Sequence, residues 1–323
     1  MAELDIIETQ HPCAITGSRS AIVICQNDRH GQALRNVISK ESGLIFVDPV
    51  PFESTEDFYK TEYRKSYKGV HQPKSKHVYR AGRIALQRFS RVAQYIPHSA
   101  SCLDAGSSSG EFVYLLTSRG FNAEGVEANI PYAKYSQSEL QIPVTISPFS
   151  KFKTEQEFDL ITMFHVLEHL EFPERDLAHL GQFLKPNGYF IIEVPNILYP
   201  NMSFPHKWHP GHLFSFTDQT LSLLMEKAGF ETVSCSPIDN GGNLWGVFRR
   251  KELKNGKPIL STSKSLYSSI FETLMKQRTR YYFNPYNLFK FVGKLSSAFS
   301  EKVQTIGLSG KEILDKLFHN RST

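Results

Sequence analysis

The stretch LDAGSSSGEF, Leu103–Phe112, decides the fold. An apolar strand ends in a carboxylate, passes through the small residues from Gly106 to Gly110, and gives way to an apolar helix beginning at Glu111. Small residues let backbone approach a ligand closely, and N–H groups at the start of the following helix favour electron-rich ligand groups. The spacing omits the middle and third glycines of a dinucleotide fingerprint, so a nicotinamide cofactor fits poorly.

Outward from this turn, apolar strands and amphipathic segments alternate. Strand FNAEGVE is followed by helix PYAKYSQSEL, strands PVTIS and FDLITMF, helix ERDLAHLGQFL and strand GYFIIEV. After a polar, aromatic-rich loop come helix DQTLSLLMEKAGF and strands ETVSCSP and NLWGVFRR. Continuous apolar strands separated by helices predict a doubly wound, mostly parallel α/β sheet covered on both faces. Upstream, Ile84, Leu86, Phe89, Val92 and Tyr95 recur near helical spacing and predict a helix leading into this sheet.

Glu127 closes the strand after the turn, about twenty residues on, where an acid accepts both hydroxyls of an adenosine ribose. Asp104 stands just before the turn, where a carboxylate meets a positively charged ligand group. Asp-x-Gly-x-x-x-Gly followed by that acid resembles the class I S-adenosylmethionine-dependent methyltransferases. FDLITMFHVLEHL, LKPNGYFIIEVPN and KAGF extend the resemblance over about residues 78 to 250. It implies a Rossmann-like seven-stranded methyltransferase sheet. It also implies S-adenosyl-L-methionine as cofactor, with Asp104, Gly106 and Gly110 at its methionine end, Glu127 on ribose, Ala128 beside adenine, and Ser107 and Phe164 completing the cofactor-binding set.

The strand FDLITMF runs into His165, Glu168 and His169, spaced H-x-x-E-H so that a helix would stack them on one face. This is the spacing of an inverted zinc-protease motif, but a cofactor turn sixty residues earlier and a strand before the motif are the wrong context for a protease. Three readings stay open. His165 or His169 acts as general base, an imidazole being suited to take a proton near neutral pH. Alternatively Glu168, His169 and His212, with His165, hold a divalent metal. Otherwise the segment braces its loop through hydrogen bonds. The metal reading draws on a resemblance to the small-RNA 2′-O-methyltransferases, which carry E-x-x-E-H here and a further His in a later loop, matched by His212 in HKWHPGHLFSFT. His165 replaces their first Glu and removes charge that Mg2+ would favour. The loop from Pro195 to Ser215 adds Asn196, Tyr199, His206, Trp208 and His209, which are expected to line an acceptor pocket.

Near the start, HPCAITGS and ISKESGLIFVDPVP resemble a leading zinc-knuckle module of sugar- and polysaccharide-pathway methyltransferases, there written C-x-x-C-G twice over. Only Cys13 survives, with Thr16, Ser39 and Ser42 at the other ligand positions. Hydroxyls do not replace thiolates on zinc, so the shape is expected without the metal. STEDFYKTEYRKSY continues the fit.

The predicted organisation is therefore a degenerate knuckle-like small β module over 1–75, the S-adenosylmethionine-binding domain over 76–250 and a basic helical tail over 251–323. The tail carries 13 Lys or Arg against 5 Asp or Glu. It is expected to present a solvated face of packed helices, with an anionic acceptor, peripheral membrane contact or RNA as the functional alternatives. Four scattered cysteines give no disulfide framework. No run of eighteen apolar residues and no basic-then-apolar leader appear, so a cytoplasmic protein without a transmembrane segment is expected. No DNA partner is expected, and oligomeric state is not legible. The resemblance predicts methyl transfer to a hydroxyl or carbon of a small-molecule or carbohydrate acceptor. Its rivals are a metal-assisted O-methyltransferase acting on a ribose or catechol-like ring, and a non-catalytic cofactor-binding partner subunit.

Overall fold

The structure is a computed structural model and describes residues 6–51, 73–251, 264–283 and 304–319. The predicted STEDFYKTEYRKSY segment, the linker after Lys251 and the helix around YNLFKFVGKLSSAF lie outside the described residues.

A seven-stranded sheet runs in the order β11-β12-β9-β8-β5-β6-β7. Its strands are β5 (Ser101–Ala105), β6 (Asn122–Glu127), β7 (Val144–Ile146), β8 (Phe158–Phe164), β9 (Leu184–Pro195), β11 (Phe230–Ile238) and β12 (Asn243–Arg250). β5 pairs in parallel with both β6 and β8, β6 with β7, and the β11–β12 hairpin is antiparallel. This is the predicted Rossmann-like α/β sheet. The chain works outward from β5 through β6 to β7 and then returns on the other side as β8. The order therefore reverses between β5 and β8, where open α/β sheets bind ligands at their carboxyl ends. The strands are apolar because the sheet is covered: Leu103, Val126, Leu160, Ile161 and Ile191 are wholly buried.

By compactness the chain divides into two units, each drawn from several stretches of sequence: Met1–Thr55, Phe164–Ala178 and Ile192–Leu288 in one, Glu56–Met163, His179–Ile191 and Phe289–Thr323 in the other. The first holds a second sheet, β1-β2-β3-β4-β10. Its strands are β1 (Ile6–Glu8), β2 (Ser20–Asn27), β3 (Ala33–Ser39), β4 (Ile45–Val47) and β10 (Phe214–Ser215). β10 comes from the aromatic-rich loop and pairs antiparallel with β4, Phe214 opposite Phe46. Under this sheet Ile22, Ile38 and Ile45 pack with Ile197, Phe204 and Trp208 of the loop and with Ile270 and Leu274 of a tail helix, Lys264–Arg280.

In the other unit, α1 (Ser75–Val92) precedes β5, α2 (Glu111–Ser118) follows the glycine turn, and α3 (Ile130–Tyr135) follows β6. The predicted helix before the sheet exists, but its buried face differs from the expected one: Val78, Gly82, Ala85 and Val92 face inward while Ile84 is exposed. The reason is the terminal helix Gly310–His319. A Cβ at Gly82 would stand 2.6 Å from Leu314 Cδ2, so the two helices meet over small residues instead of large ones. Tyr114 donates to Asp315 at 2.5 Å and ties the same helix to α2.

Candidate active site

The glycine turn is built from residues in the left-handed region: Gly106 (φ 81°), Ser108 (φ 53°) and Gly110 (φ 83°). The N–H groups of Gly106 and Ser107 both donate to the Val126 carbonyl, at 2.8 and 3.2 Å, and this welds the turn to β6. Gly110 is sterically obligatory. A Cβ there would lie 2.5 Å from Ile142 Cδ1 and 2.9 Å from Ser136 Oγ, on top of the unfavourable φ. Ser107 folds its side chain under β6, since a Cβ on Gly125 would meet Ser107 Oγ at 2.5 Å, and its hydroxyl is buried without a hydrogen-bond partner.

Asp104 is buried at the end of β5, with Thr162 Oγ1 of β8 donating to its Oδ1 at 2.7 Å. Burial pushes its carboxyl up to about 6, against the Thr162 hydrogen bond and the field of Arg88, with Glu127 adding to the rise. A carboxylate kept in so poor a place for charge is suited to a cationic ligand group, which would restore its ionised form. Glu127 accepts from Ser108 N at 2.8 Å through Oε2 and from Asn129 N at 2.7 Å through Oε1. Each oxygen keeps a second lone pair, so the same carboxylate that brackets the turn retains acceptors for a diol. Ala128, half-buried, sits between this acid and Asn129, whose side chain caps α3 by accepting from Tyr132 N. These residues fit S-adenosylmethionine: a cradle that admits no Cβ, a buried acid for a positive group, and an acid with spare lone pairs.

In the first unit, the H-x-x-E-H motif does not lie on a helix as its spacing predicts. His165 is itself left-handed (φ 55°), and Leu167–His169 forms a single 3-10 turn. The backbone of His165 donates to the Glu193 carbonyl at 2.8 Å. Its ring lies between two buried acids, with Nε2 2.9 Å from Glu193 Oε1 and Nδ1 3.6 Å from Glu168 Oε1. Burial opposes charge on this ring, but the two carboxylates prevail and raise it to about 9. As an imidazolium His165 donates and has no lone pair with which to take a proton. Glu193 was missed in the sequence, where its one signal is a lone acid inside the apolar run FIIEV. Thr162 gave no signal.

His169 Nδ1 lies 2.6 Å from the Gly211 carbonyl oxygen, and Leu213 N donates to the Glu168 carbonyl at 2.8 Å, so the turn and the later loop are stitched together. His212 packs edge-on against His169, ring centroids 4.9 Å apart, and stacks on His209 at 4.3 Å. Burial and neighbouring positive groups hold His212 well below the ordinary imidazole value and bring His209 down to about 3. Among the described residues, Glu168, His169 and His212 are the group of ligating side chains close enough to share a metal ion.

The rest of the loop is largely structural. Trp208 is buried to 1% exposure in the core beneath the second sheet, and Asn196 braces the Gly241 carbonyl. Lys207 donates to the carbonyls of Ile197 and Tyr199 at 2.6 and 2.7 Å, and burial draws its ammonium down to about 8. His206 is exposed and paired with Ser203. Phe164 stacks on Trp245 at 5.7 Å.

Residues 77–235 match a family model described as "Methyltransferase domain". In both this match and its sheet order the segment is similar to a Rossmann-like methyltransferase domain. Curated relatives include the ubiquinone biosynthesis O-methyltransferases of Rickettsia typhi, 31% identical over 99 residues, and Rickettsia canadensis, 31% over 101 residues. Each alignment takes in 29% of this chain, and the chain spans about two fifths of those relatives' length, 40% and 42%. Solved structures with similarity include a TehB-like SAM-dependent methyltransferase from Corynebacterium glutamicum, at 18% identity and TM-score 0.40, covering 53% of this chain and 98% of that one. Another is the 1,6-didemethyltoxoflavin-N1-methyltransferase of Burkholderia thailandensis, at 18% identity and TM-score 0.46, covering 67% and 96%. Among the described residues no helix is long and apolar enough to cross a membrane.

Proposed function

We propose that the chain transfers a methyl group from S-adenosylmethionine to a hydroxyl or carbon of a small-molecule or carbohydrate acceptor. The observation that carries this reading is Asp104: a buried carboxylate at the end of the first sheet strand, raised to about 6, beside a turn whose Gly110 tolerates no side chain. When bound, the cofactor supplies an electrophilic methyl on a sulfonium. Asp104 would hold its positively charged methionine end and Glu127 its ribose, with Ala128 beside adenine. His169 and His212 offer imidazole nitrogens toward which an acceptor hydroxyl can direct its proton, and His165, held as a cation between Glu168 and Glu193, fixes those two carboxylates instead of acting as base. Because the sulfonium loses its charge in transfer, the site needs orientation more than strong charge.

Two experiments test this. Calorimetry should show S-adenosylmethionine binding to the full chain, lost in Asp104→Asn. Labelled methyl transfer into a fractionated extract should show a methylated product. Binding without any transfer would leave a cofactor-binding partner subunit as the function.

We infer further that the N-terminal sheet descends from a zinc-knuckle module. Gly17 and Gly43, both left-handed, close two turns in which Gly17 N bonds to Cys13 O and Gly43 N to Ser39 O. Cys13 Sγ and Ser42 Oγ lie 3.2 Å apart, and Ser39 Oγ accepts from the N–H groups of Glu41 and Ser42. A chain carrying Thr16→Cys, Ser39→Cys and Ser42→Cys should bind one zinc through four thiolates. Failure of the folded triple variant to bind zinc would remove this ancestry.

A further inference from the structure

We propose that the groove between the second sheet and the carboxyl end of the tail helix Lys264–Arg280 seats an anionic phospholipid and holds the chain on a membrane surface. The inference goes beyond methyl transfer and does not depend on it.

It starts in β2. A regular strand alternates its side chains between two faces, but β2 shifts register against β3 between Val23 and Cys25 and again between Cys25 and Asn27. Three successive apolar residues, Val23, Ile24 and Cys25, are therefore each half-buried instead of alternately covered and open. They line a groove with Leu34 of β3 and with Phe204 and Pro205 of the loop. Its volume, about 1590 Å3, exceeds the roughly 300–1,000 Å3 of sites for drug-sized ligands. A small polar metabolite would leave such a groove largely wet, whereas a long apolar chain would fill it.

The rim combines cations with bare aromatic rings. Arg278 and Arg280 lie in the last turn of the tail helix, and the chain runs on into Tyr282 and Phe283, 66% and 85% exposed. Exposed rings mark an interaction surface, and aromatic residues beside basic ones are the usual anchor at the headgroup level of a bilayer. Three arginines line the groove, Arg29, Arg35 and Arg278, against one acid, Asp28. Asp28 is buried, and its Oδ1 already accepts from the N–H groups of His30 and Gln32 at 2.8 and 2.9 Å. Arg35 is fixed by donating to Asp48 through Nε and Nη2, at 2.6 and 3.0 Å, which leaves Nη1 for a ligand. Arg278 lies over the Phe204 ring at 5.3 Å and makes no hydrogen bond or ion pair among the described residues. A guanidinium binds phosphate oxygens through paired, charge-assisted hydrogen bonds. The positive rim suits a phosphate headgroup and the negative surface around it, and the aliphatic lining suits the acyl chain. A single-stranded nucleic acid would call for a row of stacking rings where β2 offers aliphatic side chains.

The test is sedimentation of the full-length chain with vesicles of phosphatidylcholine alone or mixed with phosphatidylglycerol. The chain should bind the anionic vesicles, bind the neutral ones far more weakly, and come off as salt rises. Arg278→Glu should weaken binding by at least about fivefold, the contribution of one basic residue near an anionic surface. Replacing Tyr282 and Phe283 together by Ser should also weaken it. Lys227→Glu, an equal change in net charge at an exposed residue outside the groove lining, should leave binding as it is. These positions are all exposed, so the variants should keep the wild-type melting temperature. Trp208 reads the groove itself, because its ring packs edge-on against Phe204 at 5.3 Å. Phosphatidylglycerol with brominated acyl chains should quench fluorescence that is missing from Trp208→Phe. The proposal is overturned if the folded chain ignores anionic vesicles, if Arg278→Glu binds as the wild type does, if Lys227→Glu weakens binding as much as Arg278→Glu, or if Trp208 is not quenched. Binding of an RNA homopolymer without binding of vesicles, lost in Arg278→Glu, would also overturn it and assign the groove to nucleic acid.

Discussion

Ser108 N donates to Glu127 Oε2 at 2.8 Å, so the acid that ends β6 holds a left-handed residue of the glycine turn in place. Glu127 thereby braces the turn, and in the proposed function it also holds the ribose. Glu127→Ala should remove the carboxylate acceptor of one buried and one part-buried N–H group, costing roughly 1–3 kcal/mol of stability, and should weaken S-adenosylmethionine binding at least tenfold by calorimetry. An unchanged affinity would show that the ribose lies elsewhere.

Asp104 sets a pH dependence. Its folded value, about 6, is above the ordinary 3.8, so the ligand-free fold takes up this proton more readily than the unfolded chain between those values. Its contribution to stability is present below pH 4 and lost as pH rises through 6. Binding a cationic ligand favours the ionised form, so cofactor affinity should climb from pH 5 to pH 7 and then level, with one proton released on binding below pH 6. In Asp104→Asn the climb should vanish. Calorimetry in buffers of different ionisation enthalpy measures both.

Gly110→Ala places a Cβ against Ile142 and Ser136 at a φ of 83°. Strain and overpacking should cost about 1–3 kcal/mol, visible as a lower denaturation midpoint, and cofactor affinity should fall with it. Gly120→Ala, also left-handed but with open space around its Cβ, should cost less, about 1 kcal/mol.

Trp208→Ala should cost about 3–5 kcal/mol, because the indole fills the core beneath the second sheet. Its Nε1 is buried without a hydrogen-bond partner, so Trp208→Phe gives up no bond and should cost much less. If the loop's shape depends on this ring, Trp208→Ala should also slow methyl transfer, while cofactor affinity stays level.

Much of this was written in the sequence. Small residues after a strand acid, and an acid twenty residues later, specify local backbone, and the structure places Asp104, Gly106, Gly110 and Glu127 around one turn. The H-x-x-E-H spacing was legible as chemistry but misleading as geometry. Periodicity assumes regular φ and ψ, and nothing in the string MFHVLEHL announces that His165 turns left-handed. Likewise the helix 75–92 was legible from its period, but its buried face was set by a partner more than two hundred residues away. Long-range pairing accounts for the other omission, Glu193, whose meaning depends on His165 lying against it.

Strand β10 bears on how the chain becomes folded. The sheet begun by the first fifty residues is completed only by Phe214 and Ser215, on the open side of β4. During synthesis, the amino-terminal strands must therefore wait through most of the methyltransferase domain with an unpaired, apolar edge, Ile45, Phe46 and Val47, exposed to other nascent chains. Expression at lower temperature, which slows synthesis and weakens apolar association, should raise the yield of native protein.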